Sequence, residues 1–122
     1  MPAALRALRG ATTVDEDTPE QIQGRVIELL ERLVEANGIG HDDFVSILFT
    51  ATDDIASAFP AAAARVYGLG DVPLICAREL SIVGGTARCI RVLVHLTTER
   101  SRAELHHVYL RGARGLRDDL PE

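Results

Sequence analysis

Apolar and polar positions alternate along residues 89–96, and this pattern predicts a β-strand. One face of that strand would carry Ile90, Val92, Val94 and Leu96, and the other Arg91, Leu93 and His95. Arginine keeps its charge in proteins, so an unpaired, buried Arg91 would cost several kcal/mol. Arg91 therefore needs an anion, which could be either a bound ligand or the carboxylate of a structural salt bridge.

Further strands are predicted at residues 4–9, 44–50, 74–77 and 106–110, each rich in residues that favour β-structure. Between the first two, apolar residues recur at helical spacing: Ile22, Val26, Leu29, Leu30, Leu33 and Val34. Thr18 and Pro19 mark the start of this helix, with Gln21 completing a capping box, and Asn37-Gly38 marks its end. The pattern predicts an amphipathic helix of about five turns.

Shorter elements fill the remaining chain. Asp53-Asp54 can cap a helical segment through residue 58, Phe59-Pro60 interrupts it, and residues 61–66 can add a turn. The order β-α-β-α-β-β-β favours an α+β fold, a small mixed sheet with one long and one short helix on one face. The other face, which carries Leu93, would be apolar and open, so we expect a homo-oligomer that covers it.

Composition limits the classes of function. A chain of 122 residues fits one domain, and we treat residues 1–122 as one unit with a tail from about residue 116 that we expect to be mobile. The net charge of −5 and the five aromatic residues argue against nucleic-acid binding. No apolar run reaches the ~18 residues of a membrane span, and no signal-peptide pattern precedes the first strand, so the sequence predicts a cytoplasmic protein.

The candidate chemistry consists of arginines, one carboxylate, one thiol and one phenol: Arg9, Arg65, Arg91, Glu79, Cys76 and Tyr109. No second carboxylate, nucleophile elbow or catalytic triad accompanies them, and the histidines lack a convincing metal spacing. The absence of lysine excludes Schiff-base chemistry. Such a set is suited to binding and polarising a small dianion, and it predicts neither a metal nor another cofactor.

Several short motifs resemble one family. They are Arg9-Gly-Ala-Thr-Thr-Val, Ala51-Thr-Asp, Phe59-Pro-Ala, Val72-Pro, Cys76, Glu79, Gly84-Gly, Cys89-Ile-Arg-Val, His107-Val-Tyr-Leu and Leu116-Arg. Their order and spacing resemble the monofunctional chorismate mutases of the Bacillus type, from Arg6 to about Leu120. Each motif is weak by itself, and it is their joint occurrence that is specific.

The resemblance implies a fold, an assembly and a reaction. It implies a homotrimer shaped as a pseudo-α/β barrel, with active sites in clefts between subunits. It implies the cofactor-free Claisen rearrangement of chorismate to prephenate, a step toward phenylalanine and tyrosine. At Ala62 the family often carries a basic residue, so one contribution to the attraction of substrate is missing here.

The resemblance also implies a role for each candidate residue. Arg91 would act on the ether oxygen, Arg9 and Tyr109 would bind a carboxylate, and Glu79 with Cys76 would hold the ring and its hydroxyl. The other implied binding residues are the neighbouring subunit's Phe59, Ala61 and Arg65, the wall residues Leu74 and Ile75, and the C-terminal Leu116 and Arg117. Three alternatives remain at this stage: a non-catalytic trimer that binds small carboxylates, an enamine or imine hydrolase on a similar trimeric barrel, and a structural protein.

Overall fold

Five strands form one mixed sheet in a computed structural model that describes residues 2–116. The strands, in the sheet order β3-β2-β4-β1-β5, have the bounds β1 Ala4–Thr13, β2 Phe44–Ala51, β3 Leu74–Arg78, β4 Cys89–Thr98 and β5 Val108–Tyr109. β4 is antiparallel to β1 and β2, whereas the pairs β2–β3 and β1–β5 are parallel. The predicted order of elements is confirmed, although β5 is shorter than the predicted segment 106–110.

The central strand β4 has the two faces that its alternation predicts. Val92 and Val94 are buried against the helices, while Arg91, Leu93 and His95 lie half-buried on the opposite face. Register extends this second face to the neighbouring strands, because Arg91 pairs with Ala11 of β1 and Thr50 of β2. The sheet therefore has one face packed on the core and a second face, which we call the open face and which residues 2–116 cover only where Ala11 and Cys89 pack with Tyr109, Ala113 and Leu116.

The long helix α1, Pro19–Asn37, covers the packed face and has the ends that the sequence predicts. The Thr18 hydroxyl accepts the amide hydrogen of Gln21 at 3.2 Å, and Gly38 takes a left-handed conformation at the other end. One detail of the predicted capping box is wrong. The Gln21 side chain accepts the amide hydrogens of Asp15 and Glu16, so it fastens the loop before the helix instead of the Thr18 amide.

The prediction of a helical segment at residues 53–58 is also wrong, because turns and bends occupy this stretch. The backbone amides of Ala56 and Ser57 donate to the carboxylate of Asp17 instead of to a helical ladder. Asp54, the expected cap, accepts the Arg88 amide hydrogen. The second helix α2, Pro60–Ala64, begins at the proline and continues into a wider turn, Arg65–Leu69, so the predicted turn at 61–66 is present.

Both helices contribute to one apolar core, shared with alternate residues of the strands. Close packing explains why a glycine occupies position 10 of β1. A Cβ atom at Gly10 would come within 3.2 Å of side-chain atoms of Leu29, Leu33 and Val92. A larger residue at this position would require these side chains to shift by a few tenths of an ångström, whereas glycine fits without any shift. Within residues 2–116 no helix is long and apolar enough to span a membrane; the cytoplasmic location stays a prediction.

Candidate active site

An ion pair lies on the open face where β3 ends and β4 passes. The Nε atom of Arg91 lies 3.4 Å from Oε2 of Glu79, and it makes no aligned hydrogen bond to any described residue. The side chain of Arg91 keeps 40% of its possible exposure, and that of Glu79 keeps 22%. Glu79 thus balances the charge of Arg91 while part of the guanidinium group still faces solvent.

Backbone and side-chain contacts with β2 fix the position of Glu79. Its amide donates to the Ala51 carbonyl at 2.9 Å, which extends the β2–β3 pairing by one residue. The hydroxyl of Thr50 donates to Oε2 of Glu79 at 2.5 Å. Because Thr50 is also the register partner of Arg91, the sheet itself holds the cation and the carboxylate side by side. Sequence reasoning missed Thr50, since only the register between β2 and β4 reveals it.

Arg9 and Tyr109 join this pair from the β1 side. Arg9 and Arg91 both line a cavity of about 260 Å³, together with Leu48, Thr50, Glu79, Val92 and Leu93. A smaller adjoining cavity of about 70 Å³ is lined by Arg9, Gly10, Arg91, Val92 and Tyr109. The structure therefore brings together four of the residues that the sequence singles out: Arg9, Glu79, Arg91 and Tyr109.

The positions of Arg9 and Tyr109 depend on the segment that returns along β1. The amide of Arg9 donates to Nδ1 of His107 at 2.9 Å, and Tyr109 lies in the short strand β5 beside Ala11. Tyr109 is only 7% exposed, and its hydroxyl group has no hydrogen-bond partner among the residues described. A buried hydroxyl without a partner is costly, so this group is poised to bind a ligand oxygen.

Other predicted site residues line a second hollow, at the opposite edge of the sheet. Phe59 and Cys76 line this hollow, which has a volume of about 380 Å³ and lies next to the edge strand β3. Phe59 is 72% exposed, Ala61 is buried at the start of α2, and Arg65 is exposed at its end. One chain therefore does not bring these residues to Arg91. For Phe59, Ala61 and Arg65 this agrees with their assignment to a neighbouring subunit but does not test it. Cys76, implied to hold the ring together with Glu79, does not line the cavity of Glu79 and Arg91.

Leu74 and Ile75 lie on opposite faces of β3. Leu74 packs against the core, as Cys76 does, whereas Ile75 is 64% exposed on the open side. The two side chains therefore cannot line the same wall of one chain's cavity. Leu116 packs with Ala11, Cys89, Tyr109 and Ala113. Arg117 lies outside the described residues.

Electrostatics at this site favour charge stabilisation over nucleophilic attack. Cys89, at the start of β4, is buried, and this burial raises the pKa of its thiol, which outweighs the opposing effect of the Arg91 charge. The thiol therefore stays protonated and unreactive at neutral pH. The residues 2–116 hold no cluster of three or more histidine, cysteine or acidic side chains that could bind a metal. What the cavity offers is two guanidinium groups, a hydroxyl and one carboxylate.

Comparisons with known proteins identify the family. Residues 5–120 match the family described as chorismate mutase type I. The chain belongs to this family. Chorismate mutases are intramolecular isomerases, so the predicted family and class of enzyme are confirmed.

Two curated relatives and one solved structure agree with the family match. The chorismate mutase AroH of Thermus thermophilus is 48% identical over 117 residues, which cover 95% of this chain and 96% of that protein. The AroH protein of Bacillus subtilis (strain 168) is 40% identical over 117 residues, covering 95% and 92%. A chorismate mutase structure from Clostridium thermocellum has a TM-score of 0.87 and 42% identity, and the match covers 89% of this chain and 97% of that one.

Proposed function

We propose that this chorismate mutase converts chorismate to prephenate in the cavity between Arg9 and Arg91, with no cofactor and no covalent intermediate. The observation that carries this mechanism is the Arg91–Glu79 pair on the open face, with a half-exposed cation beside a cavity of about 260 Å³. The substrate is a dicarboxylate, and the cavity presents two guanidinium groups. The charges of site and substrate are therefore complementary.

Arg91 is the residue to which we assign electrostatic catalysis. In the rearrangement the ether C–O bond breaks as a C–C bond forms within the same molecule, and negative charge develops on the ether oxygen. A fixed cation beside that oxygen stabilises the transition state more than the ground state. Thr50 and Glu79 hold the Arg91 guanidinium in place, so little reorganisation is needed during the reaction.

Arg9 and Tyr109 are assigned to the side-chain carboxylate of the substrate. Both residues line the small cavity next to Arg91, and the Tyr109 hydroxyl lacks a partner among the residues described. Fastening this carboxylate on one side of Arg91 would favour the compact conformer in which the reacting carbons meet. Glu79 would accept a hydrogen bond from the ring hydroxyl. The Cys76 side chain packs against the core and lines the second hollow, so Cys76 of the same chain would not contact a ring held by Glu79.

The complete cleft, in this proposal, lies between subunits of a homotrimer. Three observations support it: the sheet has an open face, Ile75 and Phe59 are largely exposed, and the second hollow is at the free edge of β3. In a closed ring each subunit meets its neighbour through two different surfaces. The hollow of one subunit, with Phe59, Ala61 and Arg65, would then complete the Arg91 cavity of the next.

The test is to incubate the purified protein with chorismate and follow the loss of its ultraviolet absorbance, with prephenate identified chromatographically. We expect turnover that is nearly independent of pH around neutrality and unaffected by EDTA, because no proton transfer or metal takes part. A bell-shaped pH profile, or loss of activity with the chelator, would contradict this mechanism. Tight binding of dicarboxylates without turnover would favour the non-catalytic alternative.

A further inference from the structure

The first residue before β4 has a strained backbone. Arg88 has φ = +46°, a left-handed backbone conformation that residues other than glycine adopt rarely. Such strain persists only where surrounding contacts enforce it, and it is concentrated near functional sites. Arg88 precedes Arg91 by three residues along the strand that carries the catalytic cation.

Hydrogen bonds with Val14 and Asp54 enforce this conformation. The Arg88 side chain donates to the Val14 carbonyl at 3.2 Å, and the Arg88 carbonyl accepts the Val14 amide hydrogen at 3.0 Å. The Arg88 amide donates to both oxygens of Asp54, at 3.1 and 2.9 Å. The hydroxyl of Thr52 donates to Asp54 at 2.5 Å and accepts the amide hydrogen of Cys89 at 3.0 Å. The hydrogen bond from the Thr52 hydroxyl, followed by that from the Arg88 amide, holds the pKa of Asp54 below its usual range, so the carboxylate is charged at neutral pH.

The same short segment also anchors the other end of the loop before β4. The amide of Glu79 donates to Ala51, only three residues from Asp54. Residues 80–87 form an exposed loop between Glu79 and Arg88, and it includes the highly exposed Leu80, Ile82 and Val83. Both ends of this loop are hydrogen-bonded to the chain at or just after the end of β2. Glu79 stands at the start of this loop, and Arg91 lies three residues after Arg88 at its end. The distance of 3.4 Å between Arg91 Nε and Glu79 Oε2 therefore depends on how both ends of the loop are held.

We propose that Asp54 is a positioning residue for the reaction: by binding the Arg88 amide, it fixes where β4 begins and thereby the placement of Arg91 beside Glu79 and the substrate. Asp54 does not touch the cavity between Arg9 and Arg91. Its effect would pass through the backbone of Arg88. The proposal rests on the proposed function for its kinetic readout, and a second readout below is independent of activity.

The experiment pairs Asp54→Ala with two substitutions at Arg88. A small misplacement of a catalytic group can cost up to about a hundredfold in rate, so we expect Asp54→Ala to lower kcat by about tenfold to a hundredfold, with a smaller change in KM. Arg88→Gly introduces the residue that adopts positive φ without strain. Added to Asp54→Ala, it should recover most of the lost kcat, whereas the matched control Arg88→Ala should recover none.

The second readout is amide hydrogen exchange in residues 86–91. Asp54→Ala should accelerate exchange there, and Arg88→Gly should restore protection in the double variant. If the wild type proved inactive on chorismate, the proposed function would fail while the exchange result still stood. If Asp54→Ala did not fold, Asp54→Asn, which keeps one acceptor, would be measured in the same pairs. Unchanged kcat and exchange in the folded Asp54 variant, or equal recovery by glycine and alanine, would overturn the proposal.

Discussion

The two faces of the sheet differ in what covers them. They do not differ in unsatisfied polar atoms, because Arg6 Nε and Thr12 Oγ1 on the helix side also lack a hydrogen-bond partner among residues 2–116. On the helix side, Leu29 and Val94 are completely buried, and the side chains form a continuous apolar core. On the open side, Tyr109 has a buried hydroxyl and Arg91 a buried Nε, and neither atom has a hydrogen-bond partner among residues 2–116. What distinguishes the faces is access: packed side chains cover the helix side, whereas Arg91 on the open side stays half-exposed, and we infer that a ligand binds there.

The largest effect should come from Arg91→Ala, a change on the open face. Loss of one preorganised donor to a developing oxyanion costs about 3–4 kcal/mol, and here the donor is charged. We therefore expect turnover of chorismate to fall at least about a hundredfold to a thousandfold. Thermal unfolding should change little, because the side chain is half-exposed. Steady-state kinetics and calorimetry measure the two outcomes separately.

Arg32→Ala, on the exposed side of α1, is the matched control and should leave kcat unchanged. Arg91→Lys should restore little activity, because an ammonium group lacks the planar fork of the guanidinium group. If Arg91→Ala kept an activity within tenfold of the wild type, that result would contradict the electrostatic mechanism. A large fall in the free energy of unfolding of Arg91→Ala would instead show that the open face also contributes to the stability of the fold.

The second prediction concerns the division of the cleft between subunits. Arg65→Ala and Arg91→Ala should each be weakly active as pure assemblies. When the two are unfolded together and refolded 1:1, about one interface in four would combine two unmutated halves, because each interface of a ring is head-to-tail. The mixture should then recover up to about a quarter of wild-type activity.

Mass spectrometry of the refolded mixture would confirm that subunits have exchanged. Arg65→Ala mixed with wild-type chain serves as the control for dilution. If exchange is complete and activity does not exceed that of the parents, then Arg65 and Arg91 serve the same chain's cavity. That result would refute the shared cleft while leaving the Arg91 mechanism intact.

The sequence predicts an element correctly where the residues of that element alone determine its structure. The alternation in β4 predicts both faces of that strand, and the caps of α1 are visible at Thr18 and Gly38. It failed at residues 53–58, because Asp54 and Asp17 hydrogen-bond residues distant in sequence instead of capping a local helix. Thr50 was likewise hidden, since its contact with Glu79 depends on strand register.

The third prediction tests the helix side with Leu29→Ala. Leu29 is completely buried and lies against β1, so its truncation should lower the free energy of unfolding by about 2–5 kcal/mol. The kcat per folded site should stay close to that of the wild type, because Leu29 touches neither arginine cavity. Unfolding in urea at fixed protein concentration, with active-site titration of the same samples, measures both. A fall in kcat at full folding would contradict the separation of the two faces.

The smallest effect should come from Glu28→Gln, at the edge of the helix side. Oε1 and Oε2 of Glu28 each lie 3.0 Å from a nitrogen of Arg111, and this pair ties the segment after β5 to α1. The hydrogen bond from Arg111 is the main reason that the pKa of Glu28 is lowered in the folded state. Both side chains are more than a third exposed, so we expect a loss of about 0.2–1 kcal/mol and a decrease in Tm of about 1–5 °C at neutral pH.

The pH dependence of this loss follows from the direction of the shift. A carboxylate whose pKa is lowered on folding stabilises the fold at pH values above its unfolded pKa, and this contribution disappears as the pH falls through the folded pKa. The difference in Tm between Glu28→Gln and the wild type should therefore be greatest near neutrality and should vanish in acid. Glu31→Gln, an exposed position on the same helix, is the control. A difference that persists in acid would show that Glu28 acts through packing, and that its ion pair with Arg111 contributes nothing to the stability of the helix side.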